Sequence, residues 1–365
     1  MSTLSLRALN RATLDRQLLS RRHFLTAQQA VRHLAGLQGQ APLAPYVGLW
    51  TRLSTFAPQE LSDLLAGRAV VRAAVMRGTV HAMDTADFTA FRPLFSPLLA
   101  AALVANFSRG LAGADVDELA RRARELLAER PLTRAEIGRA LAPRWPGADP
   151  TALAYAVTHL VPVVQVPPRG IWGKSAQATW ATAESWLGWP AAGAKPDAVS
   201  RLVLRYLAAF GPATVADIQT WSGLTRLREV ADRLELRRLR GPDGIELLDL
   251  PDASLPGEDS PAPSRFLPEY DNLLLSHADR RRVIPHSRQP PLWPGNGATQ
   301  GTLLIDGLWN ALWKITRGQG SAVLTVTPLR ALTAPEKADI TAEGARLLAF
   351  TSPGQTHDVR LAAPV

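Results

Sequence analysis

One pattern recurs along the chain and limits its folds more than any other feature: a short helix, a turn, a second helix, then strands. In residues 132–141 (Leu-Thr-Arg-Ala-Glu-Ile-Gly-Arg-Ala-Leu), Thr133 and Glu136 stand at the spacing of a capping box. Pro146-Gly147 makes a turn, and residues 149–159 read as a second helix. Residues 161–166, followed by Trp172, read as returning strands. An amphipathic helix over 115–130 precedes this unit, with Arg121, Arg122 and Arg124 on a basic face. The same order returns later. Residues 199–210 are an amphipathic helix, 211–218 open a short helix, 221–224 turn, and 227–239 supply the next helix. Gly241-Pro242-Asp243-Gly244 then reads as a hairpin turn. This is the order of a winged helix-turn-helix.

The N-terminal third carries a looser version. Thr26 can cap a helix over 26–36 whose apolar face is Val31, Leu34 and Ala35 and whose stop is Gly36. Helical stretches at 58–67 and 86–92 flank an apolar and basic segment, 69–83, that fits a strand pair. Three winged-helix units are expected, at 1–112, 113–192 and 193–250. Residues 251–264, rich in Pro, Ser, Gly and Asp, read as a linker. Residues 265–365 turn β-rich, with strands at 302–305, 308–316 and 322–328, a helix at 334–350 and a final strand. Asp306-Gly307 signals a hairpin between the first two. The class is α+β.

Charge narrows the partner. The formal net charge is +9 and the pI about 10.6, with only four lysines (Lys174, Lys195, Lys314, Lys337) and arginine for the rest. Such a balance favours a polyanion, most often nucleic acid, although Ala- and Arg-rich composition also follows from GC-rich coding DNA. Arginine suits phosphate through its planar fork. There is no cysteine, and the seven histidines show neither HxH nor HxxxH spacing, so no metal or other cofactor is expected. No apolar run approaches the ~18 residues of a membrane span, and residues 1–10 lack a signal-peptide core. A cytoplasmic protein is expected. It has no heptad seam for a dimer, so a monomer is expected too.

The segment Gly36-Leu37-Gln38-Gly39-Gln40-Ala41-Pro42 places two carboxamides two residues apart, just past a helix end. On its own the pair is equally two polar residues in a turn. It is followed in order by Arg77-Gly78-Thr79-Val80-His81, then by residues 266–275 (Phe-Leu-Pro-Glu-Tyr-Asp-Asn-Leu-Leu-Leu), then by Ile305-Asp306-Gly307 with Trp313-Lys314.

Together these motifs resemble the AlkZ-like winged-helix DNA glycosylases of bacteria, over nearly the whole chain. The resemblance implies three tandem winged helices around a C-terminal β-rich, barrel-like domain, C-shaped with a basic concave channel for double-stranded DNA. It implies excision of N7-alkylated guanine, and for some members the unhooking of interstrand crosslinks made by genotoxic natural products, with a role in repair or self-resistance. The family's motif is Gln, a nonpolar residue, then Gln or Asp, which makes Gln38 and Gln40 the catalytic pair. Gly39 departs from a spacer with a side chain. It would loosen the loop or let DNA approach the backbone.

Carboxamides suit that chemistry only for a substrate that is already activated. Alkylation at N7 leaves guanine cationic, so the base departs without protonation. What remains is to hold water near C1′ and to stabilise an oxocarbenium-like sugar. Neutral bases such as uracil are outside this reach. A bulky N7 group fits an open channel better than a closed pocket, so limited flipping is expected. The lysine nearest in sequence to the pair is Lys174, so a monofunctional enzyme without lyase chemistry is expected.

Arg77 and His81, on one side of an extended segment, are candidate DNA contacts, as are Arg280, Arg281, Arg282 and Lys314. The competing structural readings are a packed strand histidine for His81 and a solvated face for the arginine run. Asp271 either orients the site or caps a turn, the structural role being favoured. Trp309 and Trp313, four apart in a strand, read as core residues on one face. The Asp306-Gly307 hairpin either enters a DNA groove or only joins two strands. The competing functional class is a winged-helix regulator without chemistry, which would show a preferred DNA sequence. Three units in one chain argue against it.

Overall fold

A computed structural model describes residues 3–189, 193–285 and 300–365. The mixed α+β architecture expected from the sequence is present. The expected boundary at 192/193 touches residues outside those described.

Local signals form the elements where they were read. Thr26 caps helix Ala27–His33 in a capping box with Gln29, and Gly36 beyond it has φ +98°. Thr133 and Glu136 close a capping box on helix Arg134–Leu141, and Asp149 caps helix Pro150–Leu160. Residues 69–83 supply the antiparallel strands Val70–Ala74 and Val80–Asp84. The strands of the first two segments join one six-stranded sheet. Its order is Leu37–Gln38, Val80–Asp84, Val70–Ala74, Val163–Val166, Thr179–Thr182, Leu132–Thr133. The junction is the pairing of Arg72 with Gln165.

Several expectations need correction. Trp172 lies on no strand; it packs on Tyr46 and Phe350, with ring centroids 5.0 and 5.2 Å away, and the return strand is Thr179–Thr182. The helix expected over 227–239 is only Arg228–Asp232. Leu239 belongs to a hairpin, Arg237–Arg240 against Glu246–Asp249, where it faces Leu247. The turn at Asp243 (φ +59°) and Gly244 (φ +74°) holds both strands in register. The stretch Thr85–Leu111 is long and apolar enough to cross a membrane by length and composition, contrary to expectation. It is not one uniform helix. A 3₁₀ turn, Arg92–Phe95, divides it. Phe88, Phe91 and Phe95 enter one core, and Leu103 and Leu111 enter a second.

The C-terminal sheet is open among the described residues rather than barrel-like. Its order is Thr356–Leu361, Ser321–Pro328, Leu308–Gly318, Gly301–Ile305, Arg265–Leu267, and its outer strands each pair on one side. Thr356–Leu361 runs parallel to its neighbour, and the preceding helix, Ala334–Thr351, makes the crossover. A register shift between Leu303 and Leu304 separates the two tryptophans. Trp309 packs with Leu304 in one core and Trp313 with Leu303 in another. The bulge therefore places them on opposite faces.

The N-terminal helix, Leu6–Arg16, joins the parts. Arg16 forms a two-pronged pair with buried Asp249 (2.5 and 2.8 Å). Arg7 and Arg11 hold Asp306, and Asn10 donates to the Gly307 carbonyl at 2.8 Å. A Cβ on Gly307 would meet Asn10 Oδ1 at 2.5 Å. The Asp306-Gly307 hairpin is thus packed against this helix.

Candidate active site

The double-glutamine segment is a short edge strand. Leu37 pairs with Ala82 and Gln38 with His81, and the Gly39 amide donates to the Val80 carbonyl at 2.8 Å. Ala35 (φ +54°) and Gly36 reverse the chain after helix Ala27–His33 and deliver it to this edge.

The two glutamines have different environments. Gln38 is buried, and its Oε1 accepts a 3.0 Å hydrogen bond from Arg77 Nη2. A guanidinium only donates, so this contact fixes which end of the carboxamide faces Arg77 and turns the NH₂ group away. Arg77 also donates to Asn272 Oδ1 at 2.9 Å and to the Trp221 carbonyl at 2.8 Å. Asn272 in turn donates to the Gly36 carbonyl at 3.1 Å. One guanidinium therefore ties the Gln38 strand, the C-terminal end of helix Val215–Ser222 and the segment after strand Arg265–Leu267. Asn272 was not singled out from sequence, although it lies inside the quoted 266–275 motif. Beside it, Asp271 accepts two 2.9 Å bonds from fully buried Arg52.

Gly39 has a definite neighbour. A Cβ there would lie 2.9 Å from Arg72 Nη1. Arg72 is buried and donates to the Gly39 carbonyl at 2.8 Å and to Gln165 Oε1 at 3.3 Å. The glycine neither loosens the loop nor leaves a gap for DNA; an arginine from strand Val70–Ala74, next but one in the sheet, fills the space. Burial and the charge of Arg169 bring Arg72 down to about 10, which leaves it protonated at neutral pH. Gly39→Val should displace this guanidinium. We expect a loss of roughly 1–3 kcal/mol in chemical denaturation, and Arg72→Met in the same chain should recover part of it. Equal stability of Gly39→Val and the parent would contradict this packing.

Gln40 is exposed and lines a cavity of about 370 Å³ between the first two helical segments. Its other walls include Asn106, Phe107, Arg134, Tyr155 and Trp180. Among the described residues no carboxylate lines it.

The candidate DNA contacts fall into two groups. Arg280 forms no side-chain hydrogen bond or ion pair among the described residues, and its charge acts with burial to lower Arg77 to about 10. Lys314 is exposed, beside Glu269 and Trp313 in another cavity, of about 180 Å³. The others are turned inward or paired. Arg77 is not on an extended segment: it has φ +55° in a turn, and its guanidinium serves Gln38. His81 is fully buried, with Nδ1 donating to the Thr79 carbonyl at 3.0 Å. Arg282 is buried against Asp217 (3.8 Å) and donates to the Pro212 carbonyl. Arg281 pairs with Asp279 and Asp243. The basic face on helix Val116–Glu129 is likewise neutralised, by Glu118, Glu125 and Glu184. Among the described residues no cluster has the composition of a metal site.

Burial lowers His81 and His277 to about 3, aided by Arg77 and Arg282 respectively. Both are neutral in the fold, whereas in the unfolded chain they protonate near pH 6.5. Stability is therefore full above about pH 6.5 and falls as the pH drops toward 3, by about 1.4 kcal/mol per pH unit for each such histidine. Asp87 and Glu269, raised by burial, act in the opposite sense. We expect the melting temperature to fall between pH 7.5 and 5. A flat profile there would refute the neutral assignment.

Comparison with known proteins agrees with this architecture. A family model described as DNA glycosylase AlkZ-like matches residues 31–350. A solved structure of Streptomyces sahachiroi DNA glycosylase AlkZ superposes with a TM-score of 0.76 at 19% identity, covering 99% of this chain and 100% of that one. No curated protein matches. A family match spanning most of the chain, on a fold shared end to end, establishes that this protein belongs to the AlkZ-like family of DNA glycosylases.

Proposed function

We propose that this DNA glycosylase hydrolyses the N-glycosidic bond of cationic N7-alkylguanine in duplex DNA and leaves an abasic site. The observation that carries the reading is the pairing of a locked, buried Gln38 with an exposed Gln40 at a cavity that, among the described residues, no carboxylate lines. Among the described residues this lining has no carboxylate, and its histidine, His159, is held toward the neutral form by burial, so the reading gives the two carboxamides a role of position and dipole. It therefore needs a leaving group that departs without a proton, and N7 alkylation provides one.

In the proposed reaction the C1′–N9 bond breaks and its electron pair neutralises the alkylated ring. The Gln40 carboxamide oxygen accepts a hydrogen bond from the water that adds to C1′. The water's proton passes to solvent, since a carboxamide is not an ordinary general base. Gln38, whose oxygen is held by Arg77, offers its NH₂ group as a hydrogen-bond donor that positions the sugar-phosphate backbone. Arg280 and Lys314 serve as phosphate contacts.

The test uses duplex DNA with a single 7-methylguanine, incubated with the protein and then treated with alkali. Scission only after alkali supports a monofunctional glycosylase, whereas scission without alkali would overturn that part. Intact strands after alkali would sink the substrate assignment. Lesions bearing larger N7 groups, crosslinks included, belong to the same class, because the reacting atoms are unchanged.

A further inference from the structure

His81 is fully buried directly opposite Gln38 in the sheet, and the reaction above gives it no task. We propose that His81 is a positioning residue: acting through Asn272 and Arg77, it fixes the orientation of the Gln38 carboxamide. This rests on the role given to Gln38 above and adds the group that sets it.

The neighbours assign each hydrogen-bond role. The Thr79 carbonyl can only accept, so the His81 Nδ1 that faces it at 3.0 Å carries the ring proton. Burial and the charge of Arg77 keep the ring neutral. Nε2 therefore holds a bare lone pair. It is buried without a hydrogen bond of regular geometry, and the Asn272 carboxamide stands beside it. Asn272 accepts from Arg77 through Oδ1 at 2.9 Å and donates from Nδ2 to the Gly36 carbonyl at 3.1 Å. That Nδ2 carries a second hydrogen, which makes no other hydrogen bond among the described residues. A small rotation of the carboxamide gives it to His81 Nε2.

The direction of this contact matters. A lone pair on Nε2 keeps the Asn272 NH₂ toward His81 and its oxygen toward Arg77. A proton on Nε2 would set donor against donor, and the carboxamide would turn its NH₂ to the guanidinium. Arg77 Nη2 would then lose an acceptor, and the same nitrogen holds Gln38 Oε1 at 3.0 Å. The tautomer of His81 is thus passed through two side chains to the NH₂ group that Gln38 presents.

The backbone joins the same groups. Arg77 (φ +55°) and Gly78 (φ +69°) form the turn between strands Val70–Ala74 and Val80–Asp84. The Thr79 amide closes it by donating to the Met76 carbonyl at 3.1 Å. The turn that aims Arg77 at Gln38 therefore also supplies the carbonyl that selects the His81 tautomer.

The first measurement is the tautomer itself, by NMR of isotope-labelled histidine rings in the parent protein at neutral pH, with His81 assigned by its absence from His81→Gln. The proton should sit on Nδ1; a proton on Nε2 would overturn the proposal whatever the activity. The second is single-turnover release of 7-methylguanine at saturating protein. His81→Phe keeps a ring and removes the acceptor, and the rate should fall about tenfold or more, the scale of a small misplacement near a reacting centre. His81→Gln, whose carboxamide oxygen reaches the place of Nε2, should recover most of that rate. In a Gln38→Ala background His81→Phe should cost nothing further, because groups that act as one unit are not additive. Equal losses in both backgrounds, or His81→Gln no better than His81→Phe, would make His81 only a packed ring and overturn the proposal. If His81→Phe does not fold, Asn272→Ala takes its place in the cycle with the same expectation, and the tautomer tests His81. A parent that releases no base, or full release by Gln38→Ala, would refute the glycosylase chemistry or the role of Gln38 instead. The orienting contact is then read from the Gln38 side-chain amide signals, which should shift in His81→Phe and return in His81→Gln; unshifted signals would overturn it.

Discussion

Gln40→Ala lowers the rate of 7-methylguanine release by about 10²–10³, the usual cost of removing one preorganised polar group from a reacting centre. It leaves the melting temperature unchanged, because the side chain is exposed and has no hydrogen-bond partner among the described residues. Gln38→Ala loses as much activity and is also less stable. It removes an acceptor from Arg77, a half-buried cation with no carboxylate partner among the described residues. Loss of such an acceptor costs about 1–3 kcal/mol. This asymmetry is specific to the geometry. Two glutamines acting as equivalent surface groups would give two variants of equal stability. The measurements are single-turnover base release and thermal melting on the same preparations. Full release by either variant would refute its assigned role.

Asp271→Ala is the largest stability effect expected in the chain. Arg52 and Asp271 form a two-pronged pair with both side chains buried. Removal of one partner strands a charge in the interior, which costs about 3–5 kcal/mol. Arg52 also donates to the carbonyls of Gln17 and Gly48, so it cannot swing out to solvent without breaking further bonds. The pair fixes the segment that carries Asn272, and Asn272 holds Arg77. Asp271→Ala should therefore lose base release in proportion to the lost register of Asn272, as well as stability. Asp271→Asn preserves the shape and one acceptor and should fall between the two. A loss under about 1 kcal/mol in urea denaturation would contradict the buried pairing.

Sequence and structure agree where a signal depends on neighbours in the chain. The Thr133 capping box, the Asp306-Gly307 turn and the valine-rich run in residues 69–83 each involve groups a few positions apart, so propensity settles them. The readings that changed depend on distant partners. His81 reads as either a DNA contact or a packed strand histidine, and Arg282 as a DNA contact or a solvated residue, until the residues packed over them are known. The Leu227-to-Leu239 spacing is compatible with a helix, and only the facing strand at Leu247 makes Leu239 part of a hairpin. A single bulge opposite Leu303 and Leu304 moves Trp309 to the other face from Trp313, and nothing local announces it.

The candidate site divides in the same way. In the sequence, the family resemblance is what points to the two carboxamides as the reacting groups. Because no ionisable group accompanies Gln38 and Gln40 in their segment, that reading favours lesions that leave without a proton, which is the substrate class proposed above. Tertiary structure alone decided that the pair is unequal. Arg77 reaches Gln38 across 39 positions and Asn272 across 195, while Arg72 reaches Gly39 across 33. Folding brings these guanidiniums out of water and against carbonyl oxygens. Contacts made over such separations follow from the packing of whole elements, which no local pattern encodes.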